Sequence, residues 1–170
     1  MTYGEKFANV YALLKQQNKR EYFSNAEFAI YKQVKDKIHK YIAKQFKIPA
    51  TGLYLTSPTF FSKLTSNEPL NIHDQYWHMH IDKKTYKSFH YTSLLYLNTY
   101  YDQFSGGRFV FVDKKANYTV EPKQNRVLVF TSGSENGHFV ERVEKGVRYA
   151  ITISFTCDPQ LKIDDPKLLG

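Results

Sequence analysis

Cysteine is almost missing from this chain of 170 residues: Cys157 is the only one. One thiol makes neither a disulfide scaffold nor a cysteine-rich zinc site. No apolar run approaches the ~20 residues that a membrane-spanning helix needs. The opening stretch, MTYGEKFANVYALLKQ, lacks the basic-then-apolar layout of a signal peptide. These absences lead to the expectation of a cytoplasmic protein, or of a secretory-pathway lumenal one if the chain is a piece of something longer. Acidic charge is also short, with 16 Asp and Glu against 24 Lys and Arg, for a net charge of +8. Aromatic residues are plentiful: 14 Tyr, 13 Phe and one Trp exclude intrinsic disorder. A chain of this length buries roughly 70% of its unfolded surface, enough for one domain with a real core.

The basic excess is an N-terminal feature. Residues 1–50 carry net +6 and residues 51–170 carry net +2. The excess suits an acidic partner such as nucleic acid, or simply a solvated helix face.

Two textures divide the chain. Up to about residue 48 the apolar residues have helical spacing. Phe7, Val10, Tyr11 and Leu14 form one stripe, and Ile30, Val34, Ile38 and Tyr41/Ile42 a second. Ser24 followed by Glu27 has capping-box spacing, and Pro49 stops the second helix. From Thr51 onward, short β-rich runs alternate with turn residues: 52–57, 59–64, 76–82, 91–98, 108–113, 118–121, 126–132, 138–143 and 148–157. Such spacing predicts a sandwich or barrel rather than βαβ units. The expected fold class is α+β: a double-stranded β-helix (jelly-roll, cupin-like) core over 51–158, a helical buttress over 1–48 and a tail over 159–170.

His80-Ile81-Asp82 is the first chemical signal. On a strand, residues two apart share a face, so imidazole and carboxylate can grip one metal ion. A distant histidine completes a two-His-one-carboxylate set, which leaves three positions open and favours non-haem Fe(II). His138, after the 132–137 turn, is the candidate. His78 shares the parity of His80 and offers an alternative pair, but no acid lies two residues beyond it. Arg148 follows His138 by ten residues, inside the β-rich run 148–155. A dicarboxylate that chelates the metal through a 2-oxo acid end leaves its second carboxylate needing a fixed guanidinium. The plain alternative for Arg148 is an ion pair at a strand edge.

The ordered set — His-x-Asp, the run 91–98 ending in Tyr96-Leu97-Asn98, Gly106-Gly107 before a strand, His138, and Arg148 — resembles the prolyl-4-hydroxylase-like branch of 2-oxoglutarate/Fe(II) dioxygenases. The runs 91–98, 106–111 and 130–136 are similar to the 2-oxoglutarate and iron-dependent oxygenase domain-containing protein 3 group. The resemblance spans about residues 70–158. It implies that His80, Asp82 and His138 ligate iron, and that Arg148 pairs with the distal carboxylate of 2-oxoglutarate. It implies that Tyr96 hydrogen-bonds the same carboxylate. Thr92 and Leu94, by strand parity, then face the pocket, and Thr152 touches cosubstrate or bound water. The implied cofactors are Fe(II), 2-oxoglutarate and O2, with ascorbate in support. The implied reaction is hydroxylation of a C–H on a protein or peptide side chain.

Two rivals are a nucleic-acid demethylase and a non-catalytic metal-binding jelly-roll. Arg142 and Arg148 have the R-x5-R spacing of AlkB-type demethylases, but there the cosubstrate arginine lies further from the distal histidine. A purely structural metal needs no buried guanidinium beside it, so Arg148 speaks against a module without activity. Other residues carry plain expectations: His39, His73 and His90 structural, His78 in the pocket wall, and Cys157 buried. Trp77 is expected under the helices, Tyr100 and Tyr101 either against substrate or capping the barrel mouth, and Asp164-Asp165 solvated.

Overall fold

The computed structural model describes residues 6–15, 24–69 and 75–165. Two antiparallel sheets carry the fold. The larger runs in the order β1 (Lys6–Asn9), β2 (Tyr54–Thr65), β9 (Val143–Thr156), β3 (Tyr91–Tyr96), β7 (Val127–Thr131), with β4 (Phe104–Gly106) pairing the start of β9. The smaller runs β6 (Tyr118–Val120), β5 (Phe109–Phe111), β8 (His138–Val140). This is the jelly-roll with helical supports that the turn spacing predicts. No helix among the described residues is long and apolar enough to cross a membrane.

Strand β9 divides the interior by parity. Ile151, Ile153 and Phe155 face the helices and join Phe28, Ile38 and Ile42 in one core. Arg148, Ala150 and Thr152 point the other way. There Leu94, Tyr96, Ala150, Phe109 and Phe130 form a second core between the sheets.

Helix α2 (Asn25–Gln45) starts at the expected capping box: the Ser24 side chain accepts from the Glu27 backbone, and Glu27 reaches back to the Ser24 N–H. Pro49 lies beyond its end. The buried stripe, however, is Phe28, Tyr31, Lys35, Ile38 and Ile42. Ile30 and Tyr41 are exposed, at 62% and 51%. A lysine at a core position hid the true period. The remaining lysines of α2 do form a solvated face, with Lys32, Lys37, Lys40 and Lys44 exposed.

The first predicted helix is shorter than its stripe. Helix α1 covers Val10–Lys15, because the Asn9 side chain accepts from the Ala12 N–H and fixes the start there. Phe7 therefore lies on the edge strand β1, and its ring meets Phe60 edge-on at 5.5 Å. The runs 52–57 and 59–64 merge into β2, with an irregularity between Thr56 and Phe60. The run 76–82 is not a strand: a turn leads to a single bridge at His80, and Asp82 opens the one-turn helix α3 (Asp82–Thr85). Conversely, β4 occupies residues read as a turn.

Lys35 is satisfied by the far end of the chain. Its Nζ donates to Asp165 at 2.5 Å, and the Tyr11 hydroxyl donates to the other Asp165 oxygen at 2.7 Å. Asp165 is thus not the solvated tail residue that the sequence suggests. Burial alone would raise its pKa, but the bonds from Lys35 and Tyr11 hold it below the usual carboxylate value. We expect Asp165→Ala to cost about 2 kcal/mol, roughly 6 °C in Tm for a chain this size. The contribution is complete above the unfolded aspartate pKa of ~3.9 and fades as pH falls through the lower folded value. Thermal melts of both proteins from neutral to acid pH check this. Equal Tm values at neutral pH would contradict it.

Candidate metal and cosubstrate centre

His80, Asp82 and His138 offer ligand atoms that all lie within 4.8 Å of one another. They reach this arrangement without sharing a strand. His80 and His138 face each other across a backbone bridge, with N–H···O distances of 2.9 and 3.0 Å. Asp82 enters from the start of α3, whose Lys83 N–H donates to the Ser132 carbonyl. One carboxylate oxygen, Oδ1, stands 3.6 Å from His80 Nε2 and 3.5 Å from His138 Nε2.

Backbone carbonyls set both imidazoles. His80 Nδ1 donates to the His78 carbonyl at 3.0 Å, and His138 Nδ1 donates to the Asn136 carbonyl at 2.8 Å. A carbonyl only accepts, so Nδ1 carries a proton in each ring and Nε2 is the nitrogen that faces the shared space. Burial lowers the pKa of His138, outweighing the opposing pull of Asp82. Its ring is neutral at neutral pH, as a metal ligand must be. Phe109 stacks on it at 4.7 Å and Phe130 meets it edge-on at 5.1 Å, which fixes its plane.

A cavity of about 360 Å³ joins these three residues to Arg148, Thr152, Thr92 and Leu94. Arg148 is 1% exposed, and its Nε and Nη2 have no hydrogen-bond partner among the described residues. The Tyr96 hydroxyl is likewise buried and without a bond. The guanidinium lies 5.3 Å from the centre of the Tyr96 ring. Burial lowers the Arg148 pKa from its ordinary value, far too high for loss of its charge near neutrality. Burial pushes Tyr96 up to about 12, so it stays a donor. A buried cation and two sets of idle donors fit a carboxylate, and the donor set beside them fits a divalent metal. Gly107 gives Arg148 its seat. With φ +66°, it has no side chain where a Cβ would stand 3.1 Å from Arg148 Cδ.

The remaining expectations divide. His78 does line the cavity, and His39 and His90 bond to the Leu53 carbonyl and the Cys157 N–H. His73 lies outside the described residues. Trp77 does not sit under the helices; Arg142 covers its ring at 4.5 Å, drawn by cation–π attraction. Cys157 is exposed rather than buried, because β9 ends at Thr156. Tyr100 and Tyr101 pack on each other and do not line the cavity. The carbonyls of His78 and Asn136 had no signal in sequence, since any residue supplies one. Gly107 had a signal, the Gly-Gly pair.

A model of the 2OG-Fe(II) oxygenase superfamily matches residues 68–156. The Xenopus tropicalis protein called 2-oxoglutarate and iron-dependent oxygenase domain-containing protein 3 is 53% identical over 166 residues, 98% of this chain and 52% of that one. Its Homo sapiens namesake is 51% identical over 168 residues, again 98% and 52%. Human prolyl 3-hydroxylase 2 is 43% identical over 72 residues, 41% of this chain and 10% of that one. Among solved structures, a Trichoplax adhaerens prolyl hydroxylase in complex with a hypoxia inducible factor peptide fragment gives a TM-score of 0.59 at 18% identity, covering 90% of this chain and 63% of that one. A Pseudomonas putida prolyl-4-hydroxylase gives 0.51 at 20% identity, covering 74% and 62%. At those identities the structural likeness speaks for the fold. The chain spans about half the length of the two oxygenase-domain relatives.

Proposed function

The chain belongs to the 2OG-Fe(II) oxygenase superfamily, and from that premise we propose that it couples oxidative decarboxylation of 2-oxoglutarate to hydroxylation of a protein or peptide side chain. In balance, 2-oxoglutarate, O2 and a substrate C–H give succinate, CO2 and C–OH. The observation that carries this reading is the idle, buried Arg148 guanidinium in the same cavity as a two-His-one-carboxylate cluster. A metal held only for structure has no use for it.

His80, Asp82 and His138 would hold Fe(II), which supplies the redox chemistry with O2 when bound. Arg148 and Tyr96 hold the far carboxylate of 2-oxoglutarate and so orient its 2-oxo acid end toward the metal. Thr152, 8% exposed and opposite Leu94 across β9 and β3, lies along that path. The apolar walls exclude water, which strengthens the ion pair.

A protein side chain is favoured over a nucleobase. Phe7, Phe60, Tyr86 and Phe89 line the cavity as an apolar aromatic wall, which suits an aliphatic group. The Trichoplax neighbour holds a peptide, which agrees. The lysine face of α2, the chief attraction for nucleic acid, lies on the helix that covers the opposite side of the larger sheet.

The test offers proteolytic peptide pools and methylated oligonucleotides to the protein with Fe(II) and 2-oxoglutarate. Mass spectrometry reads a gain of one oxygen on peptides or loss of methyl groups from bases. Oxidised peptides support the reading; demethylated bases overturn its substrate half.

A further inference from the structure

The search for residues beyond the ligands and the carboxylate clamp leads to the second oxygen of Asp82. Oδ1 faces the two histidines. Oδ2 turns away and accepts a hydrogen bond from the Thr92 hydroxyl at 2.6 Å. That hydroxyl lies 2.9 Å from Ser132 Oγ. Thr92 has a single hydroxyl proton, already given to Asp82, so Ser132 donates to Thr92. The chain Ser132→Thr92→Asp82 thus has one direction, and each bond polarises the next.

This chain is held from both ends. Thr92 is 3% exposed and Ser132 1%. Thr92 lies within β3, paired with Phe130 on one side and Ser154 on the other. The Ser132 N–H donates to the His90 carbonyl at 2.9 Å, and its own carbonyl accepts from Lys83 N–H at 2.9 Å. The backbones that carry both hydroxyls are therefore held in place relative to Asp82.

Resting on the functional reading above, we infer that Thr92 is a positioning residue that keeps Asp82 a one-oxygen ligand. A carboxylate can grip a divalent ion through one oxygen or two. Two histidines and one oxygen leave three positions of an octahedral ion free. A 2-oxo acid chelates through two atoms and O2 requires the last, so all three are spoken for. A second Asp82 oxygen on the metal would take one of them, and a 2-oxo acid whose far carboxylate Arg148 and Tyr96 already hold is not free to choose which two remain. Thr92 occupies Oδ2 and prevents that. Its loss therefore weakens the cosubstrate more than the metal, the reverse of what losing a ligand does.

The experiment uses Mn(II) as the metal probe and calorimetric titration of 2-oxoglutarate into the Mn(II)-loaded protein. The variants are Thr92→Val, which keeps the shape and removes the hydroxyl, and Thr92→Ser, which keeps the hydroxyl and removes a methyl. Melting of the metal-free proteins monitors folding. We expect Thr92→Val to weaken 2-oxoglutarate about tenfold or more, with a smaller loss in Mn(II) affinity, and Thr92→Ser to restore both. Unchanged 2-oxoglutarate affinity in folded, Mn(II)-loaded Thr92→Val overturns the inference. So does a Thr92→Ser variant as weak as Thr92→Val, which would make the methyl group responsible. Failure of the wild-type protein to bind 2-oxoglutarate at all would instead strike the functional reading.

Discussion

Replacing Arg148 with methionine is expected to weaken 2-oxoglutarate binding by at least ~30-fold, because truncating one half of a buried charge pair costs about 2–5 kcal/mol. Metal affinity is expected to change little, since no ligand is touched. The same substitution carries a second expectation of opposite sign. Without cosubstrate the buried guanidinium has two idle nitrogens, Nε and Nη2. Exchanging such a charge for an apolar side chain of similar volume is neutral or stabilising. Metal-free Arg148→Met should therefore melt no lower than the wild type. Calorimetric titration and melting together test the pair of outcomes. A lower Tm with unchanged 2-oxoglutarate affinity would mean that Arg148 is structural, paired in a way that the cavity geometry does not suggest.

Replacing Asp82 with alanine is expected to abolish the stabilisation that a divalent metal gives the fold. Asp82 is the only carboxylate of the cluster. A ligand at 100 times its dissociation constant stabilises by about 2.7 kcal/mol, roughly 5–10 °C in Tm here. Wild-type protein should show that rise with Mn(II) or Fe(II), and lose it on adding a chelator. Asp82→Ala should show none. A wild-type Tm indifferent to metal, or a full rise in the variant, would place the metal elsewhere.

Much of this was legible in the sequence, and the failures have physical causes. The residues that converge at the candidate site were readable because their chemistry leaves little choice of residue: imidazole, carboxylate and guanidinium at separations that a sheet can bring together. The reasoning that joined His80 to Asp82 was nonetheless incorrect. The run 76–82 has strand composition, yet a bridge to His138 and the first turn of α3 hold the two side chains. Alternation cannot distinguish a strand from a turn that happens to converge on the same point.

The helix stripe was right at Val34, Ile38 and Ile42 and wrong at Ile30 and Tyr41, because Lys35 sits in the core and its partner Asp165 lies 130 residues away. No local pattern signals a pair so distant. The Thr92–Ser132 chain was invisible for the same reason, 40 residues apart, one on β3 and the other just beyond the end of β7. Strand parity pointed Thr92 into the pocket but not at which atom. The register of the sheet supplied that.

The most direct measurement is succinate release from 2-oxoglutarate in the presence of Fe(II), O2 and ascorbate, by wild type, Asp82→Ala and Arg148→Met side by side. The account predicts release by the wild type, slow without substrate and faster with a suitable peptide, and none above background from either variant. Equal release by all three, or no release and no metal-dependent 2-oxoglutarate binding by the wild type, would contradict it.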